Sequence, residues 1–244
     1  MNPYHDPSRA HHRPDGFQNR HATFEPKGML TVLQWQWDAA RNGRPAPPSA
    51  PIPAVAPDLA FVQANARAGA AMEPAATWIG HATVLLQLGG LNVLTDPVFS
   101  ERASPVPFAG PRRAQPPGLS LAQLPHIDLV LVSHDHYDHL DIASIQALAA
   151  QGAHFYLPLG VGAHLEGWGV APDHIHELDW WDEVERPGPA GPLRLALTPA
   201  RHASGRLNPQ SNHTLWGGWA LVGPAHRAFF SGDTGLFSAL DEIG

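Results

Sequence analysis

The chain has no cysteine. Disulfides and thiolate metal sites are therefore excluded, and any bound metal must be held by nitrogen and oxygen. Basic residues are scarce: 15 Lys and Arg stand against 22 Asp and Glu, a formal charge of -7. No global positive field exists to draw in nucleic acid, so nucleic acid is not expected as a partner. No apolar run approaches the ~20 residues of a membrane span, and the first residues lack the apolar core of a secretory signal. The expectation is a cytoplasmic protein, at most peripheral at a membrane. What the chain does have is histidine, 16 in 244 residues, more than all its Lys and Arg together. Only imidazoles clustered at ligand spacing can close around one ion, so their positions decide whether this matters.

The length suits one sizeable core. Residues 1–74 read as an N-terminal arm and Pro-rich linker: the first 28 or so are polar and irregular, Met29 to Ala40 has helical spacing of Leu30, Leu33 and Trp37, and Arg44 to Pro57 holds six prolines, too many for helix or central strand. Residues 75–244 read as the catalytic domain. ATWIG, HATVLLQL and LNVLTD are strand-like, with Gly89-Gly90 as a hairpin turn. Ile127 to Val132 suits a strand buried on both faces. DIASIQALAAQG reads as a helix capped by Asp141 and ended by Gly152. Further strands are predicted at His154 to Leu157, Leu193 to Thr198, Thr214 to Val222 and Arg227 to Ser231. Tight turns among the first strands favour an α/β sandwich over a doubly wound sheet.

The strongest signal is SHDHYDHLD, residues 133–141, at the passage from a buried strand to a helix. His134 and His136 lie two apart, so in extended backbone both side chains point the same way and can grip one ion. Asp138 and His139 follow after a turn, within reach of a second. The alternative, a solvated loop that happens to be rich in His, does not explain four ligand-type residues at this spacing directly after an apolar strand. Two such metals ~3.5–4 Å apart can hold a hydroxide between them as nucleophile. Further ligands are expected at strand ends: His202 in LTPARHASGR and Asp233 in FFSGDTG, the latter suited to bridge two metals. His81 is read as support for a ligand or as a buried polar residue with a backbone partner. The other histidines, among them His11, His12, His164, His174 and His176, are read as exposed or structural. Trp180 and Trp181 are read as core packing, and the Pro-rich loop 104–118, with Arg112 and Arg113, as a cap on the domain in preference to a segment that approaches a lipid headgroup.

WIGHATVLLQL, LTDPVFSERASPVPFAGPRR, LPHIDLVLVSHDHYDHLD, LDWWDE, LWGGWALVGP and FFSGDTG together resemble the N-acyl-phosphatidylethanolamine-hydrolysing phospholipase D group of the metallo-β-lactamase superfamily, over Ala75 to Gly244. HHRPDGFQN is a weaker N-terminal echo. The resemblance implies an αββα metallo-β-lactamase-type sandwich and two Zn2+ ions. It implies His134, His136 and His202 on one zinc, Asp138 and His139 on the other, and Asp233 bridging, with Asp138 and Asp233 positioning the metal-bound hydroxide. The implied activity is that of a zinc-dependent phosphodiesterase of phospholipase D type acting on a phospholipid or similar phosphodiester, and the implied assembly is a homodimer. The chain departs from the family pattern in one respect. The last histidine ligand belongs to a segment beyond GDTG, and no histidine lies between Asp233 and Gly244. The expectation is thus a domain truncated at its C-terminal end, with two alternatives to set beside the phospholipase reading: a non-catalytic metal-binding remnant, or a hydrolase of a lactone or cyclic phosphodiester.

Overall fold

The computed structural model describes residues 1–20, 29–43, 50, 52–206 and 211–243. Part of the arm (21–28) and most of the first half of the Pro-rich linker (44–49 and 51) lie outside the described residues, so the extended course expected for Arg44 to Pro57 is not followed there. The chain forms strands β1 (His12–Arg13), β2 (Gly16–Phe17), β3 (Ala75–Gly80), β4 (Thr83–Leu88), β5 (Leu91–Thr95), β6 (Leu129–Leu131), β7 (His154–Pro158), β8 (Ile175–Leu178), β9 (Glu183–Arg186), β10 (Leu193–Thr198), β11 (Gly218–Val222) and β12 (Arg227–Phe230). Its helices are α1 (Met29–Asn42), α2 (Leu59–Ala66), α3 (Ile142–Ala149) and α4 (Gly162–Gly167). Among the described residues, no helix is long and apolar enough to cross a membrane.

The strands make two large sheets, ordered β3-β4-β5-β6-β7-β8 and β12-β11-β10-β9, and β1-β2 forms a separate hairpin. In the first sheet β3, β4 and β5 are antiparallel and β5 through β8 run parallel. The Gly89-Gly90 turn joins β4 to β5 with φ of 64° and 86°, the left-handed pair that a two-residue hairpin favours. Period-2 alternation then splits the core. Val93, Leu129, Leu131 and Tyr156 face the second sheet and pack with Leu193, Leu195, Leu197, Trp219 and Leu221. Leu94, Val130, Phe155 and Leu157 face the other way, onto Val62 of α2, Ile145 and Leu148 of α3, and Leu165 of α4. Both faces of β5, β6 and β7 are thus dry, as their unbroken apolar runs require. The result is the layered metallo-β-lactamase fold.

Several local expectations change. The strand predicted over Thr214 to Val222 begins only at Gly218, because 214–217 cross between the layers: Leu215 N–H donates to Leu159 O and Gly217 N–H to Ser133 O. Asp141 stands at the N-cap of α3 but makes no side-chain cap there. Its carboxylate instead accepts from the hydroxyls of Ser100 and Ser144. The strand expected over Ile127 to Val132 narrows to Leu129–Leu131, all buried. Leu30, Leu33 and Trp37 of α1 are exposed, so the face their spacing defines is not buried. Trp180 is in the core, whereas Trp181 is 39% exposed at φ 68°.

Candidate metal centre

The two sheets present their ends to one place. Directly after β6, Ser133 to His139 turn over the edge of the first sheet. His202, on the connection from β10 to β11, and Asp233, just past β12, come from the second. Three imidazole nitrogens converge: His134 Nε2 lies 2.8 Å from His136 Nδ1, and His202 Nε2 lies 3.2 Å and 3.3 Å from them. A second group joins His81, Asp138 and His139, whose candidate ligand atoms all lie within 4.8 Å of one another. Asp233 Oδ2 stands between the groups, 3.4 Å from His139 Nε2 and 3.8 Å from His202 Nε2. The structure therefore brings His134, His136, Asp138, His139, His202 and Asp233 together. His81 is beside them, its Nε2 3.2 Å from Asp138 Oδ2. It is half-exposed at a β3–β4 turn with φ 48°, not a buried side chain with a backbone partner.

Asp96 is the residue that sequence reasoning missed. It is fully buried at the end of β5. Its Oδ1 accepts from Ser133 N–H at 2.7 Å, and its Oδ2 faces Ser133 Oγ at 2.6 Å and His139 Nδ1 at 2.7 Å. Ser133 Oγ in turn meets His134 Nδ1 at 2.9 Å. The hydrogen-bond partners assign the protons. Ser133 gives its hydroxyl hydrogen to the carboxylate and accepts from His134 Nδ1–H, which leaves the His134 Nε2 lone pair facing His136 and His202. His139 donates from Nδ1, so its Nε2 faces Asp138 and Asp233. One buried carboxylate thus orients two candidate ligands, a common arrangement behind metal-binding histidines. The available signal was a carboxylate closing the apolar run LNVLT.

These residues fit a divalent cation. His139 Nε2 is buried without a hydrogen-bond partner, a cost that coordination would remove. Burial, with His139, His136 and His202 around it, pushes His134 well below its ordinary value. Burial and the neighbouring His136 hold His202 at about 4. Both are then neutral at pH 7, the form that binds metal. Burial alone would lower His139 too, but the Asp96 and Asp233 carboxylates override it and raise the imidazole to about 10. A cation entering there displaces a proton. The facing His139 holds Asp233 at about 2, against the opposing effect of its partial burial.

A cavity of about 570 Å³ opens beside the centre, mostly apolar, lined by Trp78, Val98, Pro116, Tyr137 and Arg206 and reaching His136 and Asp138. The Pro-rich loop forms part of its wall. Within that loop Arg113 is occupied in holding the backbone, donating to Ser100 O and Val98 O, while Arg112 pairs with Glu101. Arg206 donates to the Asp135 and Leu140 carbonyls and lies 4.0 Å over the Tyr137 ring. Asp135 accepts from Gly205 N–H at 2.6 Å. The ligand loop of one sheet is thereby tied to that of the other.

A further cluster, His11, His12 and Asp179, is buried but complete without a metal. His12 Nδ1 accepts from Asp6 N–H, so its proton is on Nε2, which donates to Asp179 at 2.8 Å. The same carboxylate also carries the Arg9 guanidinium at 2.6 Å. This cluster latches the N-terminal arm to the domain.

Comparison with known proteins follows the geometry. Residues 91–244 match the family model of the Beta-lactamase superfamily domain. The chain is 47% identical to an uncharacterized protein of Mycobacterium tuberculosis over 226 residues, 90% of this chain and 58% of that one. It is 40% identical to N-acyl-phosphatidylethanolamine-hydrolyzing phospholipase D 1 of Caenorhabditis elegans over 166 residues, 66% of this chain and 47% of that protein. The chain thus spans about half the length of these curated relatives. Among solved structures, a metallo hydrolase from the archaeon Ignicoccus hospitalis superposes with a TM-score of 0.50 at 22% identity, covering 69% of this chain and 64% of that one. That likeness is one of fold.

Proposed function

This chain belongs to the β-lactamase superfamily, and from that footing we propose that it is a zinc-dependent phosphodiesterase of phospholipase D type, acting on an N-acyl-phosphatidylethanolamine-like lipid. The observation that carries the reading is the convergence of the His134, His136 and His202 nitrogens within 3.3 Å beside a mostly apolar cavity. An all-nitrogen-and-oxygen donor set suits zinc. Two bound divalent ions supply Lewis acidity toward a phosphoryl oxygen and lower the pKa of water.

The chain's own residues supply the rest. His134, His136 and His202 would hold one ion, and Asp138 and His139 the other. Asp233 faces both groups as a carboxylate and is suited to orient attacking water along the line between them. Asp96 fixes the Nδ1–H of His139 and, through Ser133, that of His134, so both Nε2 atoms already face the centre when a cation arrives. The cavity has the size that takes up one amphiphile's apolar portion, with the polar centre at its end for the headgroup phosphodiester. A lipid substrate would be met at a bilayer surface, which requires peripheral contact only.

The test is turnover by zinc-loaded protein of bis(p-nitrophenyl) phosphate and of N-acyl-phosphatidylethanolamine in mixed micelles, with and without His136→Ala. Release of N-acylethanolamine by the parent chain and its loss in the variant is expected. Equal rates in the two proteins would remove the metal mechanism. Hydrolysis of a lactone with both phosphodiesters untouched would replace the substrate.

A further inference from the structure

His202 is the one histidine of its group carried by a long connection. Residues 199–217 join β10 to β11, and the described part of that span holds no helix or strand. His134 and His136, by contrast, leave a strand buried on both faces. A ligand on a loop must still be held to about 0.5 Å if three nitrogens are to share one ion. The backbone at His202 shows what holds it. Asn19 Oδ1 accepts from His202 N–H at 3.1 Å, and Asn19 Nδ2 donates to His202 O at 2.8 Å. A single carboxamide replaces the two hydrogen bonds that a neighbouring strand would give, across 183 residues of sequence.

Asn19 is in turn firmly placed. Two residues earlier Phe17 is buried in the core between the sheets, and its N–H donates to Asn212 O at 2.8 Å. Gln18 N–H donates to His11 O, and His11 and His12 both bind the Asp179 carboxylate, at 2.6 Å and 2.8 Å. From the latch at Asp179 the arm therefore runs, through fixed contacts, to the backbone of a candidate metal ligand.

We propose that Asn19 is a positioning residue for the three-histidine site, and that the N-terminal segment is a strap whose docking sets the place of His202. The inference rests on the reading of His134, His136 and His202 as metal ligands. Its chemistry is specific to a carboxamide. The position needs one acceptor and one donor at the spacing of a single planar amide, which the Asn19 carboxamide carries on adjacent atoms. Asp keeps the acceptor for His202 N–H but sets an anion against the His202 carbonyl, and Ala keeps neither.

The experiment is metal titration of the full chain against a competing chromophoric chelator, with Zn2+ for affinity and Co2+ for the ligand-field spectrum, in the parent chain, Asn19→Ala and Asn19→Asp. Removing a partner that orients a ligand costs about 10–100-fold in metal affinity. That loss is expected for Asn19→Ala, with a changed Co2+ spectrum and an unchanged far-UV circular dichroism of the metal-free protein. Asn19→Asp should fall between. His12→Ala, which loosens the latch and leaves Asn19 intact, should reproduce the loss. Parent affinity and an unaltered Co2+ spectrum in Asn19→Ala would overturn the proposal. Should Asn19→Ala fail to fold, Asn19→Asp carries the same two readings. Absence of stoichiometric metal in the parent chain would overturn the metal-site reading and this inference with it.

Discussion

Asp96→Asn is the most discriminating perturbation of the centre, because it changes a proton's address and little else. The position has φ 31°, a left-handed conformation that Asn accepts well. Asn can keep its oxygen on Ser133 N–H. The other carboxylate oxygen becomes an NH2 facing Ser133 Oγ and His139 Nδ1, where it can only donate. His139 must then accept at Nδ1 and carry its hydrogen on Nε2, the atom aimed at the metal position. Ser133, receiving a hydrogen, turns its own toward His134 Nδ1, which moves the His134 proton to Nε2 as well. Each misoriented ligand costs about 10–100-fold in affinity, and two are affected, so a loss of at least about 100-fold in Zn2+ affinity is expected. Stability falls less. The two hydrogen bonds to Oδ2 lose their acceptor oxygen at about 1–2 kcal/mol each, for a total near 2–4 kcal/mol. At about 2–4 °C per kcal/mol for a chain of this size, the metal-free melting temperature drops by ~4–16 °C. Competitive Zn2+ titration together with metal-free thermal unfolding reads both quantities. Parent Zn2+ affinity in a folded Asp96→Asn protein would refute the tautomer argument.

Three further outcomes follow from the same geometry. The metal-free protein should be most stable near pH 6.5: His202, held at about 4, adds stability that is present above its ordinary value near 6.5 and lost as pH falls toward 4, whereas His139, raised to about 10, adds stability present below 6.5 and lost as pH rises through 10. A melting temperature flat across that range would contradict the assigned charges. Gly232→Ala should destabilise by ~2–5 kcal/mol, since the residue is at φ 54° and its Cβ would lie 2.5 Å from Ser133 Cβ; denaturant unfolding indistinguishable from the parent would show that the turn yields freely. Chelation of the metal-loaded chain should lower its melting temperature, because an ion bound only by the native state stabilises it, and an identical curve in chelator would mean that no ion had been bound.

The candidate ligand run was legible as a cluster because its spacing is local: His134, His136, Asp138 and His139 need only a strand edge and a turn to meet. His202 and Asp233 were legible as side chains at strand ends. The strands β5, β6, β7 and β10 could be read from apolar runs that fill two faces or alternate cleanly. Two of the four edges, β3 and β12, were also legible, and the other two were not. β8 carries IHEL and β9 EVER, each partly exposed with few buried residues, and a strand with one free side needs little apolar pattern. Helix α2 was hidden by its Pro-rich approach, although Asp58 caps it by accepting from Phe61 N–H. Asp96 and Asn19 make their contacts with partners 37 and 183 residues away; the carboxylate closing LNVLT marks Asp96 as unusual but does not name its partners, and Asn19 carries no such mark.

The candidate ligands divide between the layers, four following β6 and two reached from the second sheet, while the Gly217 N–H bond to Ser133 O crosses the same seam at 3.0 Å. That amide is a natural gauge of how tightly the slabs stay shut. Its exchange with deuterated solvent should slow when a cation spans the seam and quicken on stripping, before amides deep within β5 or β10 respond at all. One resonance would then report loading of the centre without any substrate in the tube.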